Sequence, residues 1–187
     1  MPQNKIIKKL VKRFYEWGVL KILPRSGWLY IGIKNPETVA EHSLRAAQIG
    51  YVLAKLENYP EPEKVAAALV FHEIGETRIG DLNRLTAKYL PKKNEIECVK
   101  DQVKEFFPEI IDWVKALEEK KGHFGKILKD ADFLENALTA KEYMEQGNIQ
   151  AKQWLENIER KLKTKTGRKI FQEILKSSPY KWYKEFS

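Results

Sequence analysis

The sequence contains a single cysteine, Cys98, among its 187 residues. One cysteine excludes an internal disulfide bond, and it also excludes zinc fingers, which need at least a pair of cysteines. A chain with so little cysteine suits the reducing environment of the cytosol. We therefore expect a cytoplasmic protein.

Long apolar runs are also absent. The longest run, residues 65–71, is far too short to cross a bilayer. The first twenty residues interrupt their apolar positions with Lys and Arg every two or three residues, so they lack the continuous apolar region of a signal peptide. The sequence therefore predicts neither export nor a membrane anchor.

The overall composition is that of a globular protein, with 43% hydrophobic and 32% charged residues. Its length fits one domain over residues 1–187. The net charge of +8 favours an anionic partner, which the charge alone does not select among nucleic acid, an acidic membrane surface and a phosphorylated small molecule. Because Lys is dispersed among Glu, the pattern favours a solvated surface over a nucleic-acid interface.

Apolar residues recur at spacings of three and four along most of the chain, and strict alternation is almost absent. This periodicity predicts an all-α protein. Asn35 followed by Pro36 indicates the start of the helix that carries His42. The predicted helices span residues 3–20, 36–57, 61–77, 92–106, 108–120, 124–146, 149–163 and 167–176.

The segment KVAAALVFHEIGE, residues 64–76, places ionisable groups at the end of a run that is apolar on every side. Such a run indicates a buried helix, so we expect His72 and Glu73 to be buried as well. A buried carboxylate is costly unless it is paired or bound to a metal. If the helix continues to Glu76, that carboxylate shares one edge with the other two groups.

Two further ionisable residues, His42 and Asp132, occupy similarly apolar helical segments. With His72 and Glu73 they form a set of two imidazoles and two carboxylates. Mixed nitrogen and oxygen donors suit divalent Mn, Fe, Co, Ni or Zn. We therefore expect one divalent cation held by these four side chains.

Four blocks of sequence carry a resemblance: PRSGW at 24–28, NPETVAEHS at 35–43, HEIGETRIGD at 72–81 and KDAD at 129–132. Together they resemble the HD-domain metal-dependent phosphohydrolases, and most of all the branch of 5′-deoxynucleotidases. The similarity extends over residues 10–145 and leaves the C-terminal helices, 149–187, less constrained. It implies a single helical HD bundle that hydrolyses (deoxy)ribonucleoside 5′-monophosphates to nucleoside and phosphate.

The resemblance also implies roles for individual residues. His42, His72, Glu73 and Asp132 would bind the divalent ion, which in this family includes Mg as well as the metals above. Arg25 and Trp28 would recognise phosphate and sugar, and Glu76 and Asp81 would act in catalysis, with acid and base not assigned between them. Glu73 departs from the family pattern, which has Asp, and its extra methylene calls for a shift of the backbone or the ion. The family and the aromatic C-terminus suggest a homodimer.

Other interpretations remain open at this stage. Each ionisable residue has a structural explanation, such as an ion pair between Asp132 and Lys129, and Glu41 with Arg45 fits an exposed ion pair. We expect His123 to be an exposed loop residue. The alternative enzyme is an HD phosphohydrolase for another phosphate ester, such as a triphosphate, cyclic or signalling nucleotide. The alternative without catalysis is a basic helical module that binds nucleic acid.

Overall fold

The computed structural model describes residues 3–89 and 93–186 and confirms the all-α fold. Within those residues an isolated antiparallel bridge joins Pro24 to Thr38, and no strand is present. Short 3-10 segments lie at Gly18–Lys21, Ile149–Ala151 and Lys181–Phe186. The α helices are α1 (Gln3–Trp17), α2 (Ser26–Leu29), α3 (Val39–Leu56), α4 (Pro62–Phe71), α5 (Glu76–Ile79), α6 (Thr86–Tyr89), α7 (Lys93–Val103), α8 (Glu109–Glu119), α9 (Gly122–Glu145), α10 (Lys152–Glu159) and α11 (Lys165–Lys176).

The core is built around α9, which contacts α3, α4, α8, α10 and α11. Several of its apolar residues, such as Leu128 and Leu134, are completely buried. Helix α3 packs on α4 through Gly50, where an added Cβ would lie 2.2 Å from the Leu69 side chain. The close packing of α3, α4 and α9 brings together the elements that carry His42, His72 and Asp132.

Helix α3 begins at Val39, so the predicted start at Asn35 and Pro36 is wrong. Thr38 is the N-cap, because its side chain accepts from the backbone N–H of Glu41 and the Glu41 carboxylate accepts from the N–H of Thr38. This reciprocal pair of hydrogen bonds satisfies free N–H groups of the first turn, and it starts the helix three residues later than predicted. The capping interaction engages the Glu41 carboxylate, so the predicted ion pair of Glu41 with Arg45 does not form.

Helix α4 ends at Phe71, and the predicted continuation to residue 77 is wrong. The chain tightens there into turns, in which Ile74 N–H donates to the Phe71 carbonyl and Glu76 N–H donates to the Glu73 carbonyl. Gly75 permits a close contact with α7, since a Cβ would lie 2.9 Å from Glu95 Cγ. Glu76 instead begins the short α5.

Other predicted boundaries differ by smaller amounts. Helix α1 ends at Trp17, and the predicted helix 92–106 is observed as Lys93–Val103, with residue 92 outside the described residues. The predicted helix 149–163 divides into a 3-10 turn and α10.

Val70 is 49% exposed, so the apolar run 65–71 is not buried on every side. None of the described helices has both the length and the apolar character to cross a membrane.

Candidate metal centre

Two imidazole rings meet between α3 and the end of α4. His42 is fully buried and His72 is 3% exposed. The Nδ1–H of His72 donates to the carbonyl of Leu69 at 2.6 Å, and that of His42 donates to the carboxylate of Glu135. These bonds leave the lone pair of each ring on Nε2. Neither Nε2 atom has a hydrogen-bond partner in the described structure, and a cation between them would remove the penalty of burying them.

Two carboxylates lie beside these nitrogen atoms. Oε1 of Glu73 lies 3.3 Å from His72 Nε2 and 3.8 Å from His42 Nε2. Oδ1 of Asp132 lies 3.5 Å from His42 Nε2. Such separations fit ligands that surround one ion at about 2.0–2.2 Å. The donor set suits a borderline divalent ion, so the residues present fit the predicted metal.

Glu73 stands where the family pattern has aspartate. Glu73 lies in the turn after α4, and its carboxylate reaches both imidazoles. Burial raises the pKa of Glu73, but His72 and Arg25 outweigh burial and hold it below its usual value. The side chain is therefore ionised, as a ligand must be.

The same balance of charge keeps Asp132 ionised and favours a positive charge at His42, which is either a proton on Nε2 or a cation bound there in its place. Burial raises the pKa of Asp132, whereas Lys129 and His42 hold it well below the usual range. Burial and Arg25 lower the pKa of His42, but Glu135 and Asp132 outweigh them and raise it to about 9. For His72, burial lowers the pKa. The centre is thus a buried site with an excess of negative charge, which suits a cation.

A network outside the predicted set supports His42. Glu135, on α9, is fully buried and accepts from Arg45 Nη2 at 2.8 Å and from the Thr139 hydroxyl at 2.9 Å. Burial raises its pKa, but His42 and Arg45 lower it to about 2. Arg45 also pairs with Glu142, so the predicted exposed pair of Arg45 with Glu41 is wrong. The ionised Glu135 fixes the orientation and tautomer of His42.

Arg25 lies at the edge of the centre. Its Nη1 donates to Glu73 Oε1 at 3.3 Å and to Asp81 Oδ1 at 3.2 Å, and its Nη2 donates to Asn136 Oδ1 at 3.1 Å. The backbone N–H of Arg25 donates to the Glu37 carbonyl, which fixes the loop before α2. One Nη2 N–H and the Nε N–H remain available to an anion.

The two predicted catalytic acids have different surroundings. Oε1 of Glu76 accepts from the N–H of Leu82 at 2.9 Å, while its Oε2 is buried without a partner in the described structure. Burial, followed by Glu73 and Asp81, raises the pKa of Glu76 well above its usual value. Asp81 is fully engaged, because Oδ1 accepts from Arg25 and Oδ2 accepts from the N–H and hydroxyl of Ser26.

The structural explanation considered for Asp132 is also present. Lys129 Nζ lies 2.9 Å from Asp132 Oδ2, while Oδ1 of the same carboxylate lies beside His42. One oxygen can therefore form the ion pair and leave the other as a metal ligand. His123 is exposed, as predicted, although it lies at the start of α9 and pairs with Glu57.

A cavity of about 780 Å³ opens next to the centre, and Arg25, Glu73, Glu76, Asp81 and Asp132 line it. Trp28 is 1% exposed and also contributes to the wall. Its ring stacks on Trp154 with centroids 4.4 Å apart, and its indole N–H donates to Glu37 at 3.2 Å.

Sequence reasoning missed Glu135, Asn136 and Trp154. The first two follow Asp132 by three and four residues, and Thr139 follows it by seven, so they share one face of α9. That helical spacing was the available signal. The contact of Trp154 with Trp28 joins residues far apart in sequence, and no local pattern marks it.

Comparison with known proteins places the chain among helical HD proteins. Residues 17–175 match the family described as HD domain. The chain is 35% identical over 142 residues to 5′-deoxynucleotidase HDDC2 of Dictyostelium discoideum, a match that covers 69% of this chain and 74% of that protein. It is 31% identical over 135 residues to the human protein of the same name, with 67% of this chain and 64% of that protein covered.

Solved structures agree with the sequence matches. A conserved hypothetical protein from Pyrococcus furiosus superposes with a TM-score of 0.77 at 32% identity, covering 89% of this chain and 99% of that chain. A predicted coding region from Archaeoglobus fulgidus gives a TM-score of 0.64 at 31% identity, covering 90% of this chain and 94% of that chain. The similarity therefore extends over nearly the whole fold.

Proposed function

This chain belongs to the HD domain family, and we propose that it is a metal-dependent phosphomonoesterase that hydrolyses deoxyribonucleoside 5′-monophosphates to nucleoside and phosphate. The observation that carries the proposal is the pair of buried Nε2 atoms of His42 and His72, which lie beside carboxylates and have no hydrogen-bond partner in the part of the chain that is described. The curated relatives that carry the name 5′-deoxynucleotidase support the substrate class.

His42, His72, Glu73 and Asp132 would hold the ion. A divalent cation in this position supplies Lewis-acid stabilisation to the negative charge of a phosphate group. The donor set supports Mn, Co, Fe, Ni, Zn or Mg without selecting among them.

Arg25 would bind the phosphate oxygens. Its free Nη2 and Nε N–H groups form a planar fork that suits two oxygens of one phosphate. Asp81 and Asn136 keep the guanidinium in place through bonds of 3.2 and 3.1 Å. A group that is already ordered loses little conformational entropy when the substrate binds.

Glu76 would transfer the proton. Its Oε2 is buried and has no hydrogen-bond partner among the described residues, and Glu76 lines the cavity beside Arg25. From there it would accept a proton from the attacking water or donate one to the leaving 5′ oxygen. Asp81, whose two oxygens are engaged, would act by positioning Arg25 and Ser26, and Trp28 would shape the wall that receives the sugar.

We further propose that the protein works in the cytoplasm as a homodimer. Leu44, Val52 and Leu56 on α3 are between 53% and 62% exposed, and Val70 on the adjacent α4 is 49% exposed. Exposed apolar side chains on two neighbouring helices favour an interface, and a two-fold axis lets one face pair with itself. Light scattering on the purified protein would give twice the chain mass, and a monomer at all concentrations would contradict the proposal.

The activity is tested on metal-stripped protein to which Mn, Co, Ni, Zn, Fe or Mg is returned. We expect phosphate release from deoxyribonucleoside 5′-monophosphates that depends on the added metal, and much slower release from the 3′-monophosphates. The His72→Ala variant should lose both the metal and the activity. Protein that binds metal but releases no phosphate from any nucleoside monophosphate would contradict the proposal.

A further inference from the structure

Three lysine side chains surround one phenylalanine ring on the wall of the cavity. The Nζ atoms of Lys120, Lys129 and Lys161 lie 5.9, 5.3 and 5.4 Å from the ring centroid of Phe133. They come from the end of α8, from α9 and from the segment after α10. Arg84, from the loop after α5, lines the same cavity. We call these four basic residues and the ring the Phe133 cluster.

Most of the positive charge in the Phe133 cluster is not neutralised by the protein. Lys129 is compensated, because its Nζ lies 2.9 Å from Asp132 and 3.5 Å from Glu118. Across residues 3–89 and 93–186, Lys120, Lys161 and Arg84 have no carboxylate within 4.0 Å. Three unpaired cations on one concave wall create a local positive potential that attracts an anion.

The pKa of Lys161 agrees with a positive local potential. Burial and then the nearby charges of Arg84, Lys129 and Lys120 lower the pKa of Lys161. Like charges brought together from four separate segments repel one another, and a bound anion would relieve the repulsion. The Phe133 ring contributes by attracting the three ammonium groups towards its face.

The Phe133 cluster borders the metal centre without being part of it. Phe133 follows Asp132 directly on α9, and Lys129 contacts both residues. Arg25, the residue proposed to bind the reacting phosphate, is instead held by Glu73, Asp81 and Asn136. The cavity of about 780 Å³ lies in the upper part of the range of about 300–1,000 Å³ usual for small-molecule sites. It has room for more than one phosphate group.

We propose that Lys120, Lys161 and Arg84 form a second anion subsite, which binds a phosphate group other than the one that is hydrolysed. The inference rests on the proposed function for the position of the reacting 5′-phosphate. One source of such a group is a deoxynucleoside that carries phosphates on both its 3′ and 5′ oxygens, with the 3′-phosphate at the Phe133 cluster. Free inorganic phosphate is the other source of the same anion.

The kinetic test compares two substrates in the metal-loaded protein, deoxyadenosine 5′-monophosphate and deoxyadenosine 3′,5′-bisphosphate. We expect Lys161→Gln to lower the ratio of kcat/KM for the bisphosphate to that for the monophosphate by about tenfold, the usual effect of losing one charged contact. Lys120→Gln should act in the same direction. Lys64→Gln is the matched control, because Lys64 also lies over an aromatic ring, Phe124, at 5.6 Å but outside the cavity.

A binding test works even if the chain hydrolyses neither compound. Calorimetry would measure the affinity of the metal-loaded protein for deoxyadenosine 3′-monophosphate and for inorganic phosphate, with the unfolding temperature as a check on folding. Weaker binding of the 3′-nucleotide to Lys161→Gln supports the nucleotide source, and weaker binding of inorganic phosphate alone supports the free anion. Unchanged affinity for both anions, together with an unchanged substrate ratio, would overturn the subsite.

Discussion

At the scale of single residues, Glu135 sets the orientation and tautomer of the His42 imidazole. The buried carboxylate accepts the Nδ1–H of His42, and Arg45 and Thr139 hold it from the other side. This arrangement directs the Nε2 lone pair towards Glu73 and Asp132. An imidazole fixed in this way is a stronger ligand than one that rotates freely.

Replacing Glu135 with Gln keeps the shape of the side chain and removes its charge. We expect Glu135→Gln to weaken metal affinity by about 10–100-fold, as is usual when the partner of a ligating histidine is lost. Calorimetric titration of metal-stripped protein with Mn would measure the change. Glu142→Gln is the control, because Glu142 pairs with the same Arg45 and is not bonded to an imidazole. Equal affinity in the two variants would contradict the role of Glu135.

Glu76→Gln tests the proton transfer separately from metal binding. The variant retains an acceptor for the Leu82 N–H but loses the ionisable oxygen. We expect kcat to fall by about 10²–10⁴-fold, the range for loss of a general acid or base, while the affinity for Mn changes little. Steady-state kinetics and calorimetry on the same preparation would measure both. A kcat close to that of the parent chain would rule out Glu76 as the proton carrier.

Local sequence identified the four candidate ligands but not the residues that hold them. Each candidate stands in a distinctive block of sequence, and the structure places His42, His72 and Glu73 within reach of one ion, with Asp132 beside His42. Asn136 accepts from Arg25, and Glu135 accepts from His42 on α3. Both contacts depend on the packing of α9 against distant segments of the chain. Arg45 was assigned to Glu41 because i, i+4 pairs are common on helices, whereas the buried Glu135 offers a stronger electrostatic partner.

At the scale of elements, the crossing of α8 and α9 depends on Gly125. A Cβ at this position would lie 2.1 Å from the backbone carbonyl oxygen of Ala116, which cannot move without displacing α8. We expect Gly125→Ala to lower the free energy of unfolding by about 1–3 kcal/mol or more. Gly18→Ala is the control, since no atom of the described residues lies within 4 Å of its added Cβ. Urea unfolding would measure both variants, and equal midpoints would contradict this packing.

Helix α1 has no fully buried residue, so beyond the packing of Trp17 on Phe71 its attachment relies on polar contacts. Glu16 is the main one, because it pairs with Arg78 of α5 and accepts from Gln102 of α7 at 3.2 Å. Burial raises the pKa of Glu16, but Arg78 and Arg13 outweigh it and hold the pKa below the usual 4.5. A carboxylate with a lowered pKa stabilises the fold above that pH and loses its contribution as the pH falls.

The prediction is therefore specific to pH. Glu16→Gln should reduce the free energy of unfolding at neutral pH, and the difference from the parent chain should shrink as the pH falls below about 4.5. Chemical unfolding at several pH values between about 3 and about 7, which bracket the usual carboxylate pKa, would measure this difference. A difference that stays constant with pH would show that Glu16 acts by packing alone.

The sequence predicts where most helices lie, because the spacing of apolar residues indicates which face of a helix is buried. Helix ends were predicted less well, since they depend on particular hydrogen bonds. Thr38 and Glu41 form a capping box that overrides the signal of Asn35 and Pro36. The end of α4 at Phe71 follows from turns in which His72 and Glu73 leave the helical path, and the apolar run before them contains no sign of it.

At the scale of the whole molecule, the chain is basic on balance but places four carboxylates around one cavity. Glu73, Glu76, Asp81 and Asp132 line the same cavity, with Arg25 as the cation that contacts two of them. A fold that buries this much negative charge is stabilised when a divalent ion binds. All-α class and family membership followed from pattern and motif, whereas the cavity and the Phe133 cluster arise only when distant segments pack together.

The most direct test of this account is a crystal structure of the protein grown with Mn and measured at the Mn absorption edge. We expect one anomalous peak bounded by His42 Nε2, His72 Nε2 and oxygens of Glu73 and Asp132, each at about 2.0–2.3 Å. The His72→Ala variant should lose the peak under the same conditions. Absence of the peak from the parent protein, or a peak coordinated by other residues, would contradict the metal centre and the hydrolytic function built on it.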